Sequence, residues 1–526
     1  MVRLFLVFGV LAFIPAFGQN TITVSNAASL GAGVPANTVA PGSLVTVQIL
    51  RGGPVVINPD LTQVTLKVRL HNGSAEFDAA LLQALAGSYL ALVPQNLQPG
   101  NEYDFVLTVQ GQTSLPVTLM VGASAPGLFA GGRFGLGPAL AHNDGPDTPP
   151  RLNRFTDPAR PGDYLTLWGT GLGNAKTPDV VVEIAGKPVP ASYAGPSTYQ
   201  GLDQINVSVP AGTPESCFVG VQIRIGESVS NQTTFANAGA QGVCKDPFGL
   251  TEAELRALDD GRTVRLGVVS LRSEVLPDAG SPLSLAYSRN EAFSGEFAPR
   301  DAEEFTMLAQ PLEGDPSYFS CRLQNLATVA RFVLSDDFDA GDSLHLIGPG
   351  KSMEVPHQGV PFLYLNVIPP KDPRESPFFT AGTWTFTAPG GRTTGPFQGA
   401  LELPPPLRWL NRESLLAINP ANDQPVTWAP DGYTADDVMM VTLTSATSSQ
   451  APAAAVMCRA PASEGQVTIP AALMAKLARI PLARLQLRLA PRPERRVRFD
   501  FPLTAGGTAH GVYDYYFTDS LVVSLR

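Results

Sequence analysis

Apolar residues alternate with polar ones along much of this chain. Val45, Val47 and Ile49 share one phase, as do Phe105, Leu107 and Val109. Ile205, Val207 and Val209 alternate with Asn206 and Ser208, and Val219, Val221, Ile223 and Ile225 alternate with Gly220, Gln222 and Arg224. Leu344 and Leu346 flank His345, and Trp384 and Phe386 sit between Thr383, Thr385 and Thr387. Leu485, Leu487 and Leu489, then Val497, Phe499 and Phe501, continue the rhythm. Successive side chains on a strand point to opposite faces, so each set predicts a strand with one buried and one wetted side. Many such strands between Gly/Pro turns predict an all-β chain of tandem β-sandwiches. Helical signals are few. Thr251 and Glu254 form a capping box ahead of Leu255 and Leu258, with a stop near Gly261. Pro470 to Ile480 is a second candidate, ended by Pro481. Both are expected to be short connector helices.

Internal echoes divide the chain. Pro41-Gly42-Ser43-Leu44-Val45-Thr46-Val47 matches Pro161-Gly162-Asp163-Tyr164-Leu165-Thr166-Leu167, each opening a strand after a turn. A weaker echo pairs Ala340-Gly341-Asp342-Ser343-Leu344 with Ala381-Gly382-Thr383-Trp384. These place sandwich domains at about 19–122, 123–242, 246–402 (with an N-terminal helix) and a β-rich domain at 403–526. Four units suit the 526 residues, since domains usually hold about 100–200.

The N-terminus reads as an export leader. Arg3 is followed by the apolar run Leu4 to Phe17, and Ala16-Phe17-Gly18 offers small residues for cleavage before Gln19. No later run has the length of a membrane-spanning helix. The expectation is a secreted or cell-surface protein, with the periplasm as the other destination. Such a compartment oxidises thiols, and the chain has four Cys. Cys217 and Cys244 flank one strand-rich stretch and are expected to pair, which leaves Cys321 with Cys458. No Cys or His falls at metal-ligand spacing, so no metal or cofactor is expected.

Charged residues are only 16%, against roughly 25% in typical soluble domains, and the net charge is -10. An acidic chain repels phosphate backbones, so nucleic acid is an unexpected partner. Arg484, Arg488, Arg492, Arg495, Arg496 and Arg498 run against this balance. They read first as a solvated strand face, and second as a patch for an acidic polysaccharide or membrane surface.

One set of phrases resembles a known family. It comprises Asn26-Ala27-Ala28-Ser29-Leu30, Val39-Ala40-Pro41-Gly42-Ser43, Ser124-Ala125-Pro126-Gly127-Leu128-Phe129 and Gly137-Pro138-Ala139-Leu140-Ala141-His142-Asn143-Asp144-Gly145. Pro158-Ala159-Arg160-Pro161-Gly162-Asp163, Trp168-Gly169-Thr170-Gly171-Leu172-Gly173 and Gly201-Leu202-Asp203-Gln204-Ile205-Asn206-Val207 follow in order. Together, over residues 22–238, they resemble the uncharacterised C-terminal domain of Solibacter-type acidobacterial secreted proteins. The resemblance implies an exported immunoglobulin-like β-sandwich and carries no catalytic or binding residues. The family domain usually ends a longer protein, whereas here it follows the leader.

Searches for chemistry return little. There is no G-x-S-x-G, H-E-x-x-H or Walker loop. The five histidines, His71, His142, His345, His357 and His510, are scattered. Two acidic turns could supply oxygens to Ca²⁺: Asp336, Asp337, Asp339 and Asp342, and Asn143, Asp144 and Asp147. Solvated turns are the simpler reading of both. Trp384, Trp409, Trp428, Tyr433, Tyr513, Tyr515 and Tyr516 are candidates to stack on sugar rings, with core packing as the simpler role. Trp168 reads as a core or sheet-face aromatic. The leading expectation is therefore a non-enzymatic protein acting by contact, through adhesion, matrix assembly or scaffolding. A carbohydrate-binding protein is the alternative, and it requires a strip of exposed aromatics on one sheet face. A hydrolase with its site between domains three and four comes last.

Overall fold

The computed structural model describes residues 20–30, 33, 35, 37–51, 60–85, 87–132, 135–145, 149–239, 242–277, 287–309, 321–326, 338–360, 362–445, 453–477, 482–492 and 496–525. The expected leader lies outside the described residues, as do Asp147, Asp336, Asp337 and Arg495. Strands dominate, and the chain is a tandem array of β-sandwich units with short helices between sheets.

The first unit is two sheets joined by one strand. Glu76–Leu85 pairs with Val64–Leu70 over its first half and with Ser88–Leu92 over its second, with a register break between Leu81 and Gln83. A bulged strand bends, which lets one segment serve both layers. Val45, Val47, Phe105 and Leu107 meet between the layers, as their alternation predicts.

The second unit faces a sheet containing Ala141–Asp144, Tyr164–Thr170, Asp203–Ser208 and Tyr193–Pro196 against one containing Val180–Ile184 and Ser216–Ile225. Leu165, Leu167, Ile205, Val207, Val182 and Ile223 fill the space between them. The first two units abut closely. Thr170 Oγ1 accepts from the Leu44 N–H (2.8 Å) and donates to the Gly201 carbonyl (2.7 Å). Gly201 has φ +79°, and a Cβ there would lie under 3 Å from Leu44 and Leu92 side-chain atoms, so only glycine permits this approach.

Residues on both sides of the boundary expected at 402/403 share one ten-stranded sheet. Val264–Pro277 runs parallel to Thr508–Leu525, which also pairs with Leu482–Pro491 and Val497–Pro502. A four-stranded sheet of Ser343–Gly348, Lys351–Pro356, Gly382–Ala388 and Phe397–Leu403 packs on it through a single apolar core. Residues 264–525 are therefore one unit, because the parallel pairing of its first and last strands leaves no seam near 403.

The helix Glu252–Asp259 forms as the capping box requires, with Glu254 N–H on Thr251 Oγ1 and Thr251 N–H on Glu254 Oε2. Of the described residues after Pro470, Ala471–Met474 is helical, and 478–480 of the expected helix lie outside the described residues. An unanticipated helix, Ala302–Ala309, starts at Asp301, whose carboxylate accepts from Glu304 N–H (2.9 Å). Among the described residues no helix is long and apolar enough to cross a membrane.

Both expected cysteine pairs are bonded, Cys217 to Cys244 and Cys321 to Cys458. Cys321 and Cys458 are directly opposed on neighbouring strands. Cys217 and Cys244 lie in a cluster that joins the second unit to the third. There Phe155 and Phe218 meet Phe248 and Phe305, with ring centroids 5.2–5.9 Å apart.

Candidate binding face

The aromatic residues singled out for sugar stacking are mostly core. Trp384, Trp428, Tyr513 and Tyr515 are at most 2% exposed, and Trp409 and Tyr433 are also buried. Their polar atoms turn inward as well. Trp428 Nε1 donates to the Ala462 carbonyl and Trp384 Nε1 to the Thr380 carbonyl. Any carbohydrate reading that rests on Trp409 and Trp428 is thereby overturned.

The arginine run is also not a solvated face throughout. The Arg488 guanidinium lies 4.3 Å from the Tyr516 ring centroid, and its burial lowers its pKa. Arg496 pairs with the buried Asp514 (3.3 Å) and donates to the Tyr516 hydroxyl and Leu308 carbonyl. Only Arg484 and Arg498 of the run are exposed among the described residues. The acidic turns disperse too. Asn143 is fully buried and donates to the Asp157 carbonyl. Asp339 accepts from the Gly341 and Arg392 N–H groups, so it shapes a loop. Among the described residues no group of three or more His, Cys, Asp or Glu could hold a metal. His71 meets Asp104, His142 meets Trp168, and His510 meets Asp500 and Glu254, so these histidines do not gather.

A different set of side chains does gather, on the outer face of the Tyr164–Thr170 sheet. Leu165 and Leu167 point into the core of the second unit, so Tyr164, Thr166 and Trp168 point out. Strand register extends this face in rows. The middle row runs Leu152, His142, Thr166, Asn206 and Tyr193. On one side of it lie Asp144, Tyr164 and Ser208; on the other lie Trp168, Gln204 and Gly195. Tyr164 is 49% exposed and Tyr193 40%, while Trp168 is half-buried. Leu140, 45% exposed, precedes the same strand and accepts the Trp168 N–H at its carbonyl.

The three aromatics frame a polar centre. Trp168 and Tyr164 are four residues apart, roughly 13 Å along the strand, and Tyr193 is two strands away from them, roughly 10 Å across. Tyr193 lies over Gly195: a Cβ there would sit 3.0 Å from the Tyr193 hydroxyl oxygen. That hydroxyl donates to the Pro196 carbonyl, which fixes the ring along the strand. Trp168 Nε1 donates to His142 Nδ1 at 2.9 Å, so the neutral imidazole carries its proton on Nε2. Gln204 Nε2 donates to Asn206 Oδ1 (2.9 Å), and the Thr166 hydroxyl donates to Asp144 Oδ2. These bonds hold the polar side chains in fixed orientations between the rings.

Asp203 anchors the end of this face. Its carboxylate accepts from the Leu172 N–H (2.9 Å), and burial pushes its pKa up to about 6 against the pull of the Leu172 and Gly171 amides. Trp168 takes the sheet-face position that was one of its two expected roles, whereas Tyr164 and Tyr193 were not among the aromatics expected to stack on sugars. The signal was present: aromatic residues at the polar phase of an alternating strand cannot all be core.

No family model matches this chain, and no curated protein matches it. Solved structures match it with low TM-scores. SGBP-B of the Bacteroides ovatus mixed-linkage glucan utilization locus, in complex with a mixed-linkage heptasaccharide, is 16% identical over 39% of this chain, with a TM-score of 0.21. The chain matches 45% of that protein's length. The chicken CNTN1 FN1-FN3 domains are 11% identical over 73% of this chain and all of theirs, with a TM-score of 0.14. Domains 5-6 of the S-layer protein SbsC are 12% identical over 42% of this chain and 98% of theirs, with a TM-score of 0.19.

Proposed function

We propose that this chain is an exported contact protein that binds an extended polysaccharide on the outer face of its second sandwich. The observation that supports this is the frame of Tyr164, Trp168 and Tyr193 around the buried Thr166 and the half-buried Asn206 and Gln204 on one sheet face. A sugar ring offers an apolar C–H face and a rim of hydroxyls. Aromatic faces take the first, and fixed amides and hydroxyls take the second. A protein-binding patch has the reverse layout, an apolar centre inside a polar rim. The rings span more than one sugar unit, which favours a polymer over a monosaccharide. Export is supported by the apolar leader and by the two disulfides, which persist in oxidising compartments.

Affinity electrophoresis of residues 19–526 in gels containing neutral or acidic polysaccharides tests the reading. At least one polymer is expected to retard the chain, and Tyr164→Ala with Tyr193→Ala to weaken that retardation at least tenfold. Retardation that survives both substitutions would move the site elsewhere.

A further inference from the structure

The charges on this face are one-sided. The outward positions in register are Leu152, His142, Asp144, Tyr164, Thr166, Trp168, Ser208, Asn206, Gln204, Tyr193 and Gly195. None is Lys or Arg, and Asp144 is the one carboxylate among them. Recognition of uronate or sulfate groups relies on arginine and lysine, arginine by paired N–H bonds. These described positions have neither.

Asp144 is also poorly neutralised. One oxygen, Oδ2, accepts from the Thr166 hydroxyl. The other, Oδ1, is buried and has no hydrogen-bond partner, and no cation pairs with the carboxylate among the described residues. Its direct neighbour across the strands is Tyr164, an aromatic corner of the frame. A like charge brought onto that ring would meet a carboxylate partly withdrawn from water, where screening is weak. Hydroxyl groups suffer no such repulsion, and Asn206, Gln204, Ser208 and His142 offer them both donors and acceptors.

We infer that the ligand is a neutral, hydroxyl-only polysaccharide, and that Asp144 is a specificity residue that rejects acidic polymers. This rests on the reading of the face given above.

The test compares the full mature chain and its Asp144→Asn variant by affinity electrophoresis at low salt. The probes are a panel of neutral glucans, xylans and mannans, with polygalacturonate as the acidic polymer. Asparagine keeps the size of the side chain and its oxygen acceptor for Thr166. The native chain is expected to bind a neutral polymer at least tenfold better than polygalacturonate, and Asp144→Asn to shrink that ratio at least tenfold. Polygalacturonate bound as well as the neutral polymers, or a ratio unmoved by the variant, overturns the inference but leaves polysaccharide binding standing. Failure of every polymer to bind the native chain overturns both.

Discussion

At the residue scale, the same chemistry serves two ends according to where the strand phase puts it. Trp428 and Trp168 both donate an indole N–H to a protein acceptor, yet one is core and the other is on an outer sheet face. Removing each separates the roles. Trp428→Ala is expected to cost about 3–5 kcal/mol of stability, as deletion of a large buried ring does. Tyr164→Ala is expected to leave the melting temperature within a few degrees while polysaccharide binding falls, and equal loss of stability in both variants would contradict the assignment. Asp203 sets a pH dependence. Its folded pKa, raised to about 6, means that the folded state holds this proton more tightly than the unfolded chain does. Its contribution to stability is therefore full below the ordinary carboxylate range and is lost as pH rises through about 6. Asp203→Asn lacks that term. The melting temperature of the native chain relative to Asp203→Asn is expected to rise as pH falls from 7 to 5, and a constant difference over that range would refute it.

At the scale of elements, short connectors hold the sandwiches in place. The helix Glu252–Asp259 depends on its capping box, and its Asp259 carboxylate accepts from the Phe155 and Thr156 N–H groups of the second unit. Thr251→Ala is expected to cost about 1 kcal/mol, measured by denaturant unfolding. The Cys217–Cys244 bridge closes a 27-residue separation at the same joint. Replacing both cysteines with serine is expected to cost about 3.5 kcal/mol on the chain-entropy account, and an unchanged denaturation midpoint would contradict it. Much of this level was legible in the sequence. The capping box and the strand alternation are local, and their signals lie within a few residues. The helix Ala302–Ala309 carried a comparable signal in Asp301 and Glu304, which close on each other's N–H groups.

At the scale of the whole molecule, the second and third units are joined by an aromatic cluster rather than by a free linker. Phe305 is fully buried between Phe155, Phe218 and Phe248. Phe305→Ala is expected to uncouple the units, so that a single calorimetric transition separates into two. One unchanged transition would show that the joint contributes little.

The sequence by itself determined the all-β class, the two cysteine pairs, the strand phases and the export leader as an expectation. Each of these follows from local alternation, from turn chemistry or from simple counting. Tertiary structure alone decided that residues 264–525 form one unit, since the parallel pairing of Val264–Pro277 with Thr508–Leu525 joins positions far apart in the chain. It also decided which aromatics face solvent. Phase assigns a residue to one side of a strand, but only the packing of the second sheet says which side is wet. That physical fact buried Trp384 and Trp428, neutralised Arg496 against Asp514, and left Tyr164, Trp168 and Tyr193 around a polar centre.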